Sequence, residues 1–150
     1  MNRFENKVAI ITGAASGIGE ATTRRIVSEG GKVIIADYSK EKADKLAAEL
    51  TQSGADVRAT YFSATVLQSS KELAEFAMKE YGQVDVLVNN AGVSYIGLLQ
   101  DMSSEDWDKI LHMNLTSVFN CCKLAIPYMV HQKQGKIINI SSVWGVAGAS

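Results

Sequence analysis

Short runs of consecutive apolar residues alternate along the chain with longer stretches in which apolar residues recur every three or four positions. Continuous apolar runs are typical of strands buried on both faces of a sheet, whereas the longer spacing indicates amphipathic helices. The runs predict five β-strands, at residues 8–11, 33–36, 57–62, 84–88 and 137–140. The spaced stretches predict four helices, at residues 17–29, 40–52, 68–81 and about 104–129.

The order of these elements indicates the fold class. Strands that alternate with helices form right-handed β–α–β units and hence a parallel sheet with helices on both faces. The last predicted helix has a serine at its start, Ser103 or Ser104, and we expect Pro127 to kink or end it because proline lacks the N–H donor. No linker or internal repeat divides residues 1–150, so we expect one α/β domain.

A glycine-rich loop joins the first predicted strand to the first helix. It runs from Thr12 to Gly19 with the spacing Gly-x-x-x-Gly-x-Gly, which differs from the commoner Gly-x-Gly-x-x-Gly dinucleotide fingerprint. Free N–H groups and a partial positive charge at a helix start suit a pyrophosphate, and glycine lets the backbone approach it closely. The alternative is a flexible turn with no ligand.

Asp37 follows the second predicted strand and lies 18 residues after Gly19. A carboxylate at this position can accept hydrogen bonds from both hydroxyls of an adenosine ribose, and it would repel a 2′-phosphate. No Arg or Lys lies in the glycine loop or directly after Asp37. The sequence therefore favours NAD over NADP, although Asp37 could instead be a turn or helix-cap residue before Ser39.

The composition narrows the possible partners. The chain is 47% hydrophobic and 21% charged with a net charge of −1, whereas a nucleic-acid surface needs a basic excess. No apolar run reaches the roughly 18 residues of a membrane span, and the start lacks a signal-peptide pattern.

Cys121 and Cys122 are helix neighbours that point apart, so we expect no disulfide and a cytoplasmic protein. His112 and His131 have no cluster of ligands nearby in sequence, so we expect no metal site.

Four motifs together resemble the classical short-chain dehydrogenase/reductase family. They are Thr12-Gly13-x-x-x-Gly17-Ile18-Gly19, Asn89-Asn90-Ala91-Gly92, Asn114-Leu115-Thr116-Ser117-Val118-Phe119 and Asn139-Ile140-Ser141-Ser142. The chain looks most similar to the 3-oxoacyl-carrier-protein reductases and the related alcohol and sugar dehydrogenases. The resemblance implies a Rossmann-type, doubly wound parallel sheet with strand order 3-2-1-4-5, cut before the later strands. It also implies an oxidoreductase that transfers hydride between NAD(H) and a secondary alcohol or ketone.

The resemblance also assigns roles to individual residues. Those expected to bind the cofactor are Gly13, Ser16, Gly17, Ile18 and Gly19 along the pyrophosphate, Asp37 at the ribose, and Asn90, Ala91 and Gly92 beside the cofactor and the central sheet. Two residues are expected to take part in catalysis. Asn114 would support a water-mediated proton relay, and Ser142 would hydrogen-bond the substrate oxygen.

The positions of the two catalytic candidates can also be judged from the residues alone. Asn114 lies on the apolar stripe of its helix, so we expect a buried amide that must find partners, or else a structural Asn bound to backbone. Ser142 follows the last predicted strand, at the edge of a parallel sheet where ligands bind, although such a serine is often only a turn residue.

The sequence departs from the family at two places. The catalytic Tyr-x-x-x-Lys expected beyond Ser142 is not within the 150 residues, so we expect this chain alone to be inactive, and the fifth strand to form an apolar edge. Ala64 stands where the family commonly has an Asp that bonds the adenine amino group. For the full-length protein, the family implies a homodimer or homotetramer.

Two other classes of protein remain as alternatives. A non-catalytic NAD-binding module or pseudoenzyme would fit the lack of the Tyr-x-x-x-Lys pair. A flavodoxin-like or receiver-type protein would carry its key acids at the end of the first strand, where this chain has Thr12 and Gly13.

Overall fold

The computed structural model describes residues 2–147. The strands are β1 (Val8–Thr12), β2 (Lys32–Asp37), β3 (Val57–Tyr61), β4 (Val86–Asn89) and β5 (Lys136–Asn139). The α-helices are α1 (Gly17–Ser28), α2 (Lys40–Gln52), α3 (Leu67–Tyr81), α4 (Ser104–Leu111), α5 (Ser117–His131) and α6 (Trp144–Ala147). A 3₁₀ turn covers Leu99–Asp101, and a π-helical segment, His112–Thr116, joins α4 to α5.

The five strands form one parallel sheet in the order β3-β2-β1-β4-β5, which confirms the predicted Rossmann-type fold and its strand order. The chain reverses its direction of strand addition at β1, whose neighbours are β2 on one side and β4 on the other. Ligands of open α/β sheets bind at the carboxyl ends of the strands at this reversal. The glycine loop follows β1, and residues 90–92 follow β4 at the same edge.

Alternate residues of the central strands enter two separate apolar cores. Ile11 and Ile35 face the side covered by α1 and α2, whereas Ile10 and Ile34 face the side covered by α3 and α5. All residues of β1 and β4 are buried, which is why the two strands are apolar at successive positions, rather than alternating, until their last residues, Thr12 and Asn89. Packing in these two cores fixes the position of the carboxyl edge of the sheet, where the candidate site lies.

The helix predicted near residues 104–129 is a longer composite. Ser103 caps α4 by accepting a hydrogen bond from the Asp106 N–H at 3.0 Å, as its position predicts. The π-helical segment was not predicted, because the apolar spacing continues through it. Pro127 lies inside α5, which ends only at His131.

Gln132 anchors the end of α5. Its side-chain oxygen accepts from the Val84 N–H at 3.0 Å, and its amide donates to the Val84 carbonyl at 3.1 Å. Val84 is fully buried and, contrary to the prediction, lies before β4 rather than in it. The reason is that residue 84 pairs with this side chain instead of with a neighbouring strand.

Two further expectations concern β5 and the cysteines. β5 is one edge of the sheet within residues 2–147, and Ile138 in this strand and Ile140 just after it are 48% and 42% exposed. Cys121 and Cys122 are both free, as predicted. Cys121 is buried in the core between α3 and α5, and burial raises the pKa of its thiol to about 11.

Candidate functional site

The glycine loop folds so tightly that side chains would not fit at two of its positions. Gly13 has a φ of +63°, which L-residues rarely adopt, and a Cβ on Gly19 would lie only 2.0 Å from the Gly13 carbonyl oxygen. Gly17 also has a positive φ, of +53°, but open space around it. The first glycine therefore provides the turn, and the last allows α1 to start directly against it.

The start of α1 presents its backbone amides to the edge of the sheet. Ser16 precedes the helix in an extended conformation and makes no side-chain capping bond to it. The first N–H groups of a helix have no partner within the helix, and they carry the positive end of its dipole. This end of α1 is therefore suited to an anion such as a diphosphate.

Asp37 ends β2 and is fixed by two backbone donors. One carboxylate oxygen accepts from the Ala15 N–H and the other from the Ser39 N–H, each at 2.9 Å. A carboxylate oxygen has two acceptor positions, so each oxygen can take a further hydroxyl donor. Because Ala15 belongs to the glycine loop, these bonds hold the acid beside the amides of α1. Asp37 thus both stabilises this turn and has acceptor capacity for a ribose.

A polar junction ties β1 to the segment after β4. The Asn90 side-chain amide donates to the carbonyls of Thr12 and Gly13, both at 3.1 Å. The Thr12 hydroxyl accepts from the N–H groups of Asn90 and Ala91, also at 3.1 Å. Asn90 therefore holds the glycine loop. The sequence analysis placed Thr12 at the start of the glycine motif but gave it no role, because a threonine at a strand end is an ordinary β-branched residue.

Asn114 lies in the π-helical segment and binds a neighbouring loop rather than the helix. Its side-chain oxygen accepts from the Val93 N–H at 2.9 Å, and its amide donates to the Val93 carbonyl at 2.7 Å. The expectation of a buried amide was wrong, because Asn114 is exposed on the cavity side of the helix. The amide holds the segment after Gly92 in place, and its role in a proton relay stays a prediction.

Ser142 lies beyond β5, between that strand and the short helix α6. Its hydroxyl oxygen accepts from the Trp144 N–H at 3.3 Å, and the residue is exposed. The strand end itself is fixed, since the buried amide of Asn89 donates to the Asn139 side-chain oxygen at 2.9 Å across β4 and β5. The Ser142 O–H remains able to donate to a ligand.

Two adjoining cavities run along this edge of the sheet. One, of about 600 Å³, is lined by Ile18, Asn114 and Ser142. The other, of about 590 Å³, is lined by Gly13, Ser16 and Asp37. Both cavities are bounded by Ala91, Gly92 and Val93, so these three residues form a shared wall.

The predicted site residues are thus brought together along one cleft, with two exceptions. Asn90 lines the first cavity, while Gly17 and Gly19 line neither and contribute through the shape of the loop. The second cavity also contains residues that the sequence reasoning missed. These include Tyr38, Lys109 and Met113, whose only signal was their position beside a predicted strand end or on the long helix.

The cleft fits a nicotinamide dinucleotide in its chemistry. A helix start for the diphosphate lies close to a fixed carboxylate for a ribose, and two cavities on either side of a common wall match the two halves of such a molecule. Within residues 2–147, His, Cys, Asp and Glu side chains form no group of three that could hold a metal ion. None of the helices described is long and apolar enough to cross a membrane.

Fold and cleft together define a Rossmann-type protein with a candidate nucleotide-cofactor site at the carboxyl edge of its sheet. A family model, short chain dehydrogenase, matches residues 7–150. The chain belongs to the short-chain dehydrogenase family, whose members are oxidoreductases that bind NAD(P).

The names of similar proteins indicate several different substrates. The chain is 56% identical to 7alpha-hydroxysteroid dehydrogenase of Bacteroides fragilis over its whole length, and 45% identical to the 3-oxoacyl-[acyl-carrier-protein] reductase FabG of Thermotoga maritima over 97% of its length. It matches the crystal structure of gox2181 with a TM-score of 0.95 at 33% identity, over 98% of this chain and 58% of that one. The chain spans 59% of the length of each of the two curated relatives.

Proposed function

We propose that this chain is the cofactor-binding part of an NAD(H)-dependent oxidoreductase that transfers hydride between nicotinamide and a secondary alcohol or ketone. The observation that carries the proposal is the continuous cleft from Asp37, past the wall of Ala91, Gly92 and Val93, to Ser142. Along this cleft the parts of the site follow the order of the parts of a dinucleotide. Asp37 comes first, for the adenosine ribose, then the amide-rich turn, for the diphosphate, and then the Ser142 hydroxyl, for the substrate oxygen beside the nicotinamide.

The chain's own residues have separate tasks in this reaction. Asp37 accepts the two ribose hydroxyls, and the amides at the start of α1 bind the diphosphate. Asn114 holds Val93, and so keeps the shared wall in place. Ser142 donates its O–H to the oxygen of the substrate. When NAD is bound, its nicotinamide would accept a hydride from the carbon that bears this oxygen.

The residues of this chain that line the cleft place few constraints on the identity of the substrate. Because the chain is 56% identical to a 7alpha-hydroxysteroid dehydrogenase, we propose a hydroxysteroid as the first substrate to test and a 3-oxoacyl thioester as the second. Residues 143–150 contain neither Tyr nor Lys. We therefore propose that the 150 residues bind the cofactor but do not turn over alcohol, since Ser142 alone provides no general base.

Calorimetric titration with NAD and NADP tests the cofactor assignment. We expect NAD to bind at least about tenfold more tightly than NADP, because a 2′-phosphate would replace a hydroxyl donor with an anion beside Asp37. Asp37→Ala should weaken NAD binding by about 10- to 100-fold, as expected for hydrogen bonds to a charged group, and should reduce the preference over NADP. Glu75→Ala is the matched control, because Glu75 is an exposed acid on α3 that pairs with Lys71 outside the cleft.

The results separate the proposal from its alternatives. No binding of either dinucleotide would remove the cofactor proposal altogether. Equal binding of NAD and NADP, unchanged in Asp37→Ala, would contradict the role given to this acid. Steady alcohol oxidation by the 150-residue chain would contradict the proposed inactivity. If the full-length natural protein that contains this chain bound the cofactor without oxidising alcohol, a non-catalytic NAD-binding module would be favoured.

A further inference from the structure

Tyr38 lines the second cavity and forms an aromatic pair with Tyr61, and the binding scheme above does not use this pair. Tyr38 directly follows Asp37 and is 74% exposed, although it lines the cavity. Tyr61 ends β3 and is 47% exposed, with its ring centroid 5.7 Å from that of Tyr38. Tyr61 is the register partner of Asp37 in the neighbouring strand, so the sheet itself sets the two rings side by side.

An exposed ring in this place is suited to stacking on a flat base. A ribose held by Asp37 directs its base towards the residues next to that acid, and Tyr38 is the nearest along the chain. Base–aromatic stacking depends on the π-face that every base has, so it does not distinguish one purine from another. Tyr61 supports the ring of Tyr38 from the side.

The polar groups around the base would not distinguish purines either. The cavity is also lined by Phe62, Ser63, Ala64 and Thr65, the residues that directly follow β3. The hydroxyls of Ser63 and Thr65 lie 3.4 Å apart, and each can rotate to donate or to accept a hydrogen bond. A 6-amino group needs an acceptor and a 6-oxo group needs a donor, and rotating hydroxyls can serve both.

The charged groups of the cavity do not restore a preference for an amino group. Asp37 is fixed by the N–H groups of Ala15 and Ser39 beside the ribose. Lys109 of α4 also lines the cavity, and its ammonium group can only donate. Of the side chains that line the cavity, only Asp37 and Met113 accept without donating, and the thioether of Met113 is a weak acceptor.

We propose that the site recognises the base of its dinucleotide by stacking on Tyr38 and by adaptable hydroxyls, and so accepts a 6-oxopurine dinucleotide as readily as NAD. This inference rests on the proposed function, because it concerns the same cleft. It predicts that NAD binds at most about threefold more tightly than nicotinamide hypoxanthine dinucleotide, which carries an oxygen in place of the adenine amino group and an N–H at N1 in place of an acceptor.

Position 64 offers a matched pair of variants. Ala64→Asp places a group that only accepts at the wall of the cavity and should raise the preference for NAD to at least about tenfold, as a charge-assisted bond to the amino group allows. Ala64→Asn has the same shape but carries both a donor and an acceptor, so the preference should stay below about threefold.

The stacking partner is tested separately at position 38. Tyr38→Ala should weaken the binding of both dinucleotides at least about fivefold and by equal factors, whereas Tyr38→Phe should retain binding because the ring remains. Neither change should alter the binding of nicotinamide mononucleotide, which has no purine.

The possible outcomes are distinct. If neither dinucleotide binds the unaltered chain, the proposed function fails, and the inference fails with it. If both bind but NAD is preferred by more than threefold, the function stands and the inference is wrong. If Tyr38→Ala changes neither affinity, the stacking role is wrong whatever the preference. The first two outcomes are measured on the unaltered chain alone, so they can be interpreted even if a variant does not fold.

Discussion

Replacing Gly19 by alanine tests the geometry on which the cofactor site depends. The added methyl group would lie 2.0 Å from the Gly13 carbonyl oxygen and 2.7 Å from the Asn90 side-chain nitrogen, whereas ordinary contact begins at 3.4 Å. Neither side can move freely. The Gly13 carbonyl is bound by Asn90, and the Gly19 carbonyl accepts from the buried hydroxyl of Thr23 at 2.9 Å. The glycine loop must therefore separate from α1.

The expected cost has two parts. Overpacking of this kind destabilises a fold by about 1–3 kcal/mol. A displaced loop also loses hydrogen bonds between backbone amides and a diphosphate. Each such bond to a charged group contributes about 1.5–3 kcal/mol, so the loss of one weakens NAD binding by about 10- to 100-fold.

Two measurements check this expectation. Titration of Gly19→Ala with NADH, followed by the fluorescence of the nicotinamide, gives the change in affinity, and urea unfolding gives the change in stability. Gly82→Ala is the control, because Gly82 ends α3 with a φ of +70° and open space around it. It should lose stability but keep its affinity. If Gly19→Ala bound NADH normally, the close approach of loop and helix would not matter for the cofactor.

Two further predictions concern stability. Gln132→Ala should lower the free energy of unfolding by about 2 kcal/mol, because it leaves the N–H and carbonyl of buried Val84 without their partner. Urea unfolding should show the loss, and Gln134→Ala, at an exposed position, should change stability by less than about 0.5 kcal/mol. Hydrogen bonding by Arg3 lowers the pKa of Glu29 from 4.5 to about 2, so the stabilisation from this carboxylate is complete above pH 4.5 and is lost between pH 4.5 and 2. The difference in melting temperature between the chain and Glu29→Gln should therefore be largest near neutral pH and shrink over that interval; a constant difference would contradict the assignment.

The sheet could be predicted from the sequence because its signal is local and strong. Residues 8–11 of β1 and 86–88 of β4 are apolar at successive positions because both faces are covered, and the glycine spacing marks the turn between β1 and α1. The signal failed where a long-range contact decides the structure. Val84 carries the apolar pattern of a strand, yet its backbone pairs with Gln132 from α5.

The candidate site shows the same division between local and distant causes. Asp37 and Ser142 could be placed by their position after strands. The exposure of Asn114 could not, because it depends on how the π-helical segment turns the residue toward Val93. Tyr38 and Tyr61 meet only through the register of β2 with β3, which no sequence pattern indicates.

The π-helical segment at residues 112–116 sets the relative phase of the two halves of its helix. Its hydrogen bonds span one residue more than those of an α-helix, and one residue corresponds to a rotation of about 100°. Deleting a single residue there would restore regular winding but turn Lys109 away from the cleft while Cys121 stayed in the core. Insertions and deletions in this short stretch should consequently be tolerated far less well than substitutions, even though its side chains are largely exposed to solvent.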